Sequence, residues 1–180
     1  MEIDGQKDSV RSEARILAGL LKSGGALEIT TATTEADCEK LWGLRREFSA
    51  SLKATGLTKL NEDICVPRSR LVDLFKFTAR LQKKYGIEIA SFGHAGDGNI
   101  HVNLMADMTL PGVKAKTDRA LDELFRQIIA WDGAITGEHG IGLAKMPWWS
   151  EAASPELRKL HTQIKKALDS RRILNPGKFV

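Results

Sequence analysis

Three of the four histidines in this 180-residue chain stand in two glycine-rich segments. Gly93-His94-Ala95-Gly96-Asp97-Gly98-Asn99-Ile100-His101 sets two imidazoles on either side of a turn, and Gly137-Glu138-His139-Gly140 adds a carboxylate and a third imidazole. These side chains hold divalent metals or move protons near neutral pH. Two histidines and one carboxylate leave a position open on a metal, which is the ligand set of a catalytic site. His94, His101 and Glu138 are therefore candidate ligands, for which zinc, manganese and iron each suit the donor types, and His139 is left to act as a base. The competing reading is that each imidazole is a hydrogen-bonded core residue. Asp97 reads as the shaper of the turn rather than as a ligand, and His161, in a charged helical segment, reads as solvated.

A hairpin has to place the first pair. In Asn99–Met105, Ile100, Val102 and Leu104 alternate with His101 and Asn103. The period of two sends the aliphatic trio inward and puts His101 and Asn103 on the opposite face. His94-Ala95-Gly96-Asp97-Gly98 is turn chemistry, so Ile87–Phe92 and Asn99–Met105 are expected as antiparallel neighbours that bring His94 near His101. Further strands are expected at Leu27–Thr33, which is rich in β-branched residues, around Glu62–Val66 before Pro67, and at Gly133–Thr136 leading into Glu138.

Helices are expected between them. Ser9 or Ser12 would cap one through Ile16, Leu17, Leu20 and Leu21 that stops at Gly24-Gly25. Thr34 would cap a second through Leu41, Leu44 and Phe48, and Ser69 a third through Leu71, Leu74, Phe75 and Leu81 ending at Gly86. Lys114–Trp131 would bury Leu121, Leu124, Phe125, Ile128 and Ile129, and Pro155 opens the last helix. Trp148-Trp149 reads as packing on the core. The fold class that follows is α+β, with helices on one face of a largely antiparallel sheet. The other face, with His101 and Asn103, wants a partner surface.

Composition narrows the classes of function. At 42% hydrophobic and 28% charged, the chain reads as an ordinary globular domain, and no apolar run approaches a membrane span. Two cysteines cannot build a disulfide framework. Cys65, in Ile64-Cys65-Val66, reads as a buried thiol, and a reducing cytoplasm is the expected location, with peripheral membrane association left open. The net charge of +4 is spread over basic pairs on helices that also carry acids, so solvated faces are expected rather than a nucleic-acid surface.

GHAGDGNIHVNLM, GAITGEHGIG and ILNPGKF, in that order, resemble the C-terminal region of FAD-linked oxidases, a family that takes in D-lactate dehydrogenase, the flavin subunit of glycolate oxidase and D-2-hydroxyglutarate dehydrogenase. Leu41-Trp42-Gly43-Leu44-Arg45 and the stretch from Glu62 to Leu71 look like the same region. The resemblance covers the whole chain. It implies that residues 1–180 form a ferredoxin-like cap or substrate domain of a vanillyl-alcohol-oxidase-like flavoenzyme, and that FAD is held mainly by an N-terminal domain lacking here. A fragment of a longer protein is thus expected, inactive when isolated. The family's metal ligands map onto His94, His101 and Glu138, and its catalytic histidine onto His139. Its substrate-contacting asparagine maps onto Asn103, and its carboxylate-pairing arginine onto Arg45. Lys59 is the nearest residue to its carboxylate-holding lysine. Asn175 belongs to a tail that returns to the flavin domain.

The implied reaction is oxidation of a D-2-hydroxy acid (lactate, glycolate or 2-hydroxyglutarate type) to the 2-oxo acid. The metal lowers the pKa of the hydroxyl, His139 takes its proton, and a hydride passes to the flavin. The implied partners are that small substrate, the FAD-binding domain and an electron acceptor whose identity the motifs leave unspecified. A homo-oligomer through the exposed face is an open outcome. Two other readings remain at this level, a flavin-free metallohydrolase in which His139 or Glu138 activates water and a non-catalytic metal-binding module. An FAD-binding half encoded upstream would separate them.

Overall fold

The computed structural model describes residues 2–178, which divide into two units, Met1–Ala50 and Ser51–Val180. The expected hairpin organises the second unit. β1 (Glu88–His94 is β2; β1 is Thr58–Cys65) precedes it in the chain, and β3 spans Asn99–Ala106. β2 and β3 pair antiparallel with His94 opposite Asn99 and Phe92 opposite His101. In the turn, the Asn99 N–H donates to Asp97 Oδ1 at 3.0 Å, so Asp97 shapes the turn as expected. Gly98 has φ 83°, and a Cβ there would overlap the Val66 carbonyl. The turn is also tied to β1, because the Val66 N–H donates to the Gly98 carbonyl at 3.0 Å.

β1 pairs antiparallel along the other side of β3, giving the order β1-β3-β2 with β3 central and buried along its whole length. A 3₁₀ turn (Arg68–Arg70) and α3 (Leu71–Tyr85) connect β1 to β2, and α4 (Val113–Ala130) follows β3. Ala134 then makes an isolated antiparallel bridge to Cys65 on the outer side of β1. The chain thus runs β-α-β-β-α, with a single bridge in the place of a fourth strand, which is the ferredoxin-like plan.

The alternation in β3 sets the core. Ile100, Val102 and Leu104 pack with Ile64 of β1 against Leu74, Phe77 and Leu81 of α3 and Leu124, Phe125 and Ile128 of α4. Each such side chain contributes about 1.5–3 kcal/mol on burial. Trp148 of α5 (Met146–Ala152) packs on Phe125 with ring centroids 4.4 Å apart and donates its indole N–H to Asp122. α6 (Pro155–Leu168) is capped by Ser154, whose hydroxyl accepts the Leu157 N–H. In the first unit, α1 (Lys7–Ser23) and the part of α2 (Glu35–Lys53) up to Ala50 bury no side chain. No helix among the described residues is long and apolar enough to cross a membrane.

Several local expectations are corrected. Leu27–Thr33 forms no strand: Leu27 and Ile29 are exposed and the segment pairs with no ladder, and β-propensity needs a neighbour to act through. Gly133–Thr136 is reduced to the Ala134 bridge. Ser9 and Ser12 lie inside α1, which starts after Gln6, and Ser69 lies in the 3₁₀ turn. Thr34 does cap α2: its Oγ1 accepts the Asp37 N–H at 3.2 Å. Cys65 is half-buried rather than buried, with its thiol 3.3 Å from the Asp97 carbonyl. His161 is half-buried too, its ring 4.9 Å from that of Trp149.

Candidate functional site

The sheet face turned away from α3 and α4 is organised in cross-strand rows. Asp63, His101 and Phe92 form one row, and Asn61, Asn103 and Ala90 the next. On β1, Lys59 stands one same-face row further on, opposite Met105. His101 is 8% exposed, which makes it the rigid member of the site. Its ring lies 5.8 Å from Phe92 and 5.6 Å from His139. Burial holds its pKa below the usual histidine value, with His139 and His94 adding to that effect and Asp63 and Glu138 opposing it. The neutral imidazole is the form that ligates a metal. Asn103 is fully buried and donates its side-chain amide to the carbonyls of Ala90 and His101.

Glu138 and His139 reach the site on an irregular segment. Its anchor is Asp63, a residue with no exposed surface. Asp63 Oδ2 accepts the backbone N–H groups of Gly137 (2.9 Å), Glu138 (2.7 Å) and His139 (2.8 Å), together with the Thr136 hydroxyl (3.2 Å). Its Oδ1 accepts the Asn99 side-chain amide at 2.6 Å. Burial pushes the Asp63 pKa up, but the donors from His139, Asn99, Glu138 and Gly137 together outweigh it and hold the carboxyl well below the ordinary range. Successive N–H groups converging on one anion form a nest. The far end of the loop is tied to the same residue, because the buried Lys145 ammonium donates to the Asp63 carbonyl at 2.8 Å and lies 6.0 Å from the centre of the Phe125 ring.

This scaffold brings together the three residues expected as ligands. Glu138 Oε1 is 3.7 Å from His101 Nε2 and 4.0 Å from His94 Nε2, and one donor atom from each residue falls within 4.8 Å of the others. Ligands about 2.1 Å from a tetrahedral ion lie about 3.4 Å from one another, so the donor atoms would have to draw together by up to roughly 1.4 Å to close the set. The donors are those that zinc, manganese or iron accept. Buried Nδ1 of His101 and Oδ1 of Asn103 have no hydrogen-bond partner among the described residues, so the Nε2 edge of His101 is the one that faces Glu138. The residues fit a divalent metal.

Arg45 is half-buried on α2, in the first unit. Asn175 is exposed in the C-terminal tail with φ 46°. Sequence reasoning missed the roles of Asp63, Asn99 and Lys145. Alternation with Ile64 would have placed Asp63 on the His101 face, but no spacing announces that a lone carboxylate will collect a loop from far along the chain.

The family described as "FAD linked oxidases, C-terminal domain" matches residues 1–179. Among curated proteins, the chain is 35% identical over 179 residues to glycolate oxidase subunit GlcD of Bacillus subtilis, covering 99% of this chain and 38% of that protein. It is 34% identical to D-lactate dehydrogenase of Archaeoglobus fulgidus (93% of this chain, 37% of that protein). It is 32% identical to the mitochondrial D-2-hydroxyglutarate dehydrogenase of Rattus norvegicus (91% and 30%). The chain thus spans between 30% and 38% of the length of these relatives, and the histidines, Glu138 and their Asp63 anchor all lie inside the region that the family matches. It belongs to the family of C-terminal domains of FAD-linked oxidases.

Proposed function

We propose that this chain is the substrate-side domain of an FAD-dependent oxidoreductase that converts a D-2-hydroxy acid, of lactate, glycolate or 2-hydroxyglutarate type, to the 2-oxo acid. The observation that carries the proposal is the convergence of His94, His101 and Glu138 beside the ring of His139. The names of the relatives support the substrate class. His94 and His101 would hold a divalent cation through imidazole nitrogens and Glu138 through a carboxylate oxygen. Such a cation supplies Lewis acidity to the hydroxyl and carboxylate oxygens of the acid, and FAD, bound mainly by a partner domain, supplies the hydride acceptor.

The chain's own groups do the rest. His139 accepts the hydroxyl proton at an imidazole nitrogen, the role of a general base. Asn103, buried on the same face with its amide donating to the Ala90 and His101 carbonyls, carries the substrate-side role that the family resemblance implies. Phe92 packs beside the ring of buried His101, while His94 and Glu138 stay open to solvent. Arg45 and Lys59 carry the carboxylate-pairing roles, and Asn175 the contact toward the flavin domain, that the family resemblance implies.

Two measurements test the proposal. Elemental analysis after stripping with a chelator and reloading with Zn²⁺, Mn²⁺ or Fe²⁺ should give one ion per chain. A polypeptide that joins this chain to a flavin-binding half should reduce an artificial dye when given D-lactate, glycolate or D-2-hydroxyglutarate. No bound ion overturns the ligand assignment, and no dye reduction with any of the three acids overturns the oxidoreductase.

A further inference from the structure

We infer that Asp63 is the positioning residue of this site: its carboxylate sets where Glu138 and His139 stand relative to His101. The inference deepens the ligand-and-base reading above and rests on it for its functional meaning. The N–H groups of residues 137–139 all donate to Asp63 Oδ2, and among the described residues none of them donates to a backbone carbonyl. The loop therefore takes its path from one oxygen. The backbone of the same residue pairs with His101 across the β1–β3 ladder, so a single residue references the ligand on the sheet and the two functional groups on the loop.

The carboxylate is itself fixed. Asn99 Nδ2 binds the other oxygen, and Gly137 passes so close that a Cβ would collide with that amide nitrogen. No larger residue at 137 would keep the loop seated. The Lys145 bond to the Asp63 carbonyl holds the loop exit to the same strand position.

Asp63→Asn keeps the shape but not the function. One of its two terminal atoms becomes a donor, so in either orientation an N–H faces either the three loop amides or the Asn99 amide. Hydrogen exchange of the metal-free chain reads the positioning directly. The Gly137, Glu138 and His139 amides should exchange at least about tenfold faster in Asp63→Asn, while those of Ile100, Val102 and Leu104 stay protected. The Co²⁺ affinity, followed by its ligand-field absorbance, should fall about 10–100-fold, the usual loss when a group that orients ligands is removed.

Unchanged exchange at residues 137–139 overturns the inference, as does a Co²⁺ affinity equal to that of the parent chain. If the parent chain binds no Co²⁺, the ligand reading itself fails, and exchange in the metal-free protein still decides whether Asp63 places the loop. Should Asp63→Asn fail to fold, Asn99→Ala, which frees the carboxylate to rotate, should accelerate the same three amides. Unchanged rates there overturn the inference.

Discussion

Nε2 of His101 and Oε1 of Glu138 stand 3.7 Å apart, the first on the central strand of the sheet and the second on an irregular loop. One partner is held by ladders on both sides and by the core beneath its strand. The other is held by hydrogen bonds to a single carboxylate. The geometry of the site is therefore as stable as the sheet at one end and as the Asp63 nest at the other.

The sheet end depends on the core between β3 and α4. Leu124 is fully buried there, so Leu124→Ala should cost about 2–5 kcal/mol, the range for a buried leucine that leaves a cavity. Leu20→Ala on α1, where the side chain is 64% exposed, should change stability by less than about 0.5 kcal/mol. Urea denaturation of both variants checks the contrast. Equal losses would mean that the stability of the chain is not concentrated in the β3–α4 layer.

The hairpin should be as sensitive as the core. Gly98→Ala puts a Cβ into the Val66 carbonyl at a φ of 83°, so it should cost well above the roughly 1–2 kcal/mol of a left-handed backbone conformation alone. It should also separate His94 from His101 and lower metal content. A variant with parental stability and full metal would show that the turn does not set the spacing of the two histidines.

The hairpin and the inward trio Ile100, Val102 and Leu104 were legible because both rest on local rules: a period of two and a turn that needs glycine. The grouping of His94, His101 and Glu138 was legible because the chain has only four histidines and three of them stand in two glycine-rich segments, one beside Glu138. Leu27–Thr33 misled for the opposite reason. A β-branched run states a preference that only a neighbouring strand can satisfy, and the sequence does not say whether that neighbour exists. Asp63 was hidden in the same way. Its partners come from Asn99 and from residues 136–139, and only the folded chain brings them to one carboxylate.

Acid should release the C-terminal tail. The Asp169 carboxylate accepts the Lys165 ammonium at 2.6 Å and the N–H groups of Ile173 and Leu174, both at 3.0 Å. The lysine contact first, and then the backbone donors, hold its pKa below the usual carboxylate range. A carboxyl depressed in the folded state adds stability at pH values above its unfolded pKa, and that contribution is lost as pH falls through the lower folded value. Asp169→Asn should therefore speed exchange of the Ile173 and Leu174 amides at neutral pH, and the difference from the parent should shrink below about pH 4. A difference that persists undiminished in acid would show that charge is not what holds the tail.

Separating ligands from base gives the sharpest test of the site. His94→Ala and His101→Ala each remove a proposed donor, so both should lower metal content, with the larger loss at buried His101. His139 lies beside His101 with ring centroids 5.6 Å apart but is outside the cluster of donor atoms. His139→Ala should leave metal content near that of the parent. In a polypeptide that also carries the flavin half, it should still depress turnover by roughly 10²–10⁴-fold, the range for loss of a general base. Elemental analysis and steady-state kinetics on the same preparations keep the two effects apart. If His139→Ala lost the metal as completely as His101→Ala, His139 would be a ligand and the proton would need another acceptor. If all three variants kept both metal and turnover, the chemistry would have to be sought away from this face of the sheet.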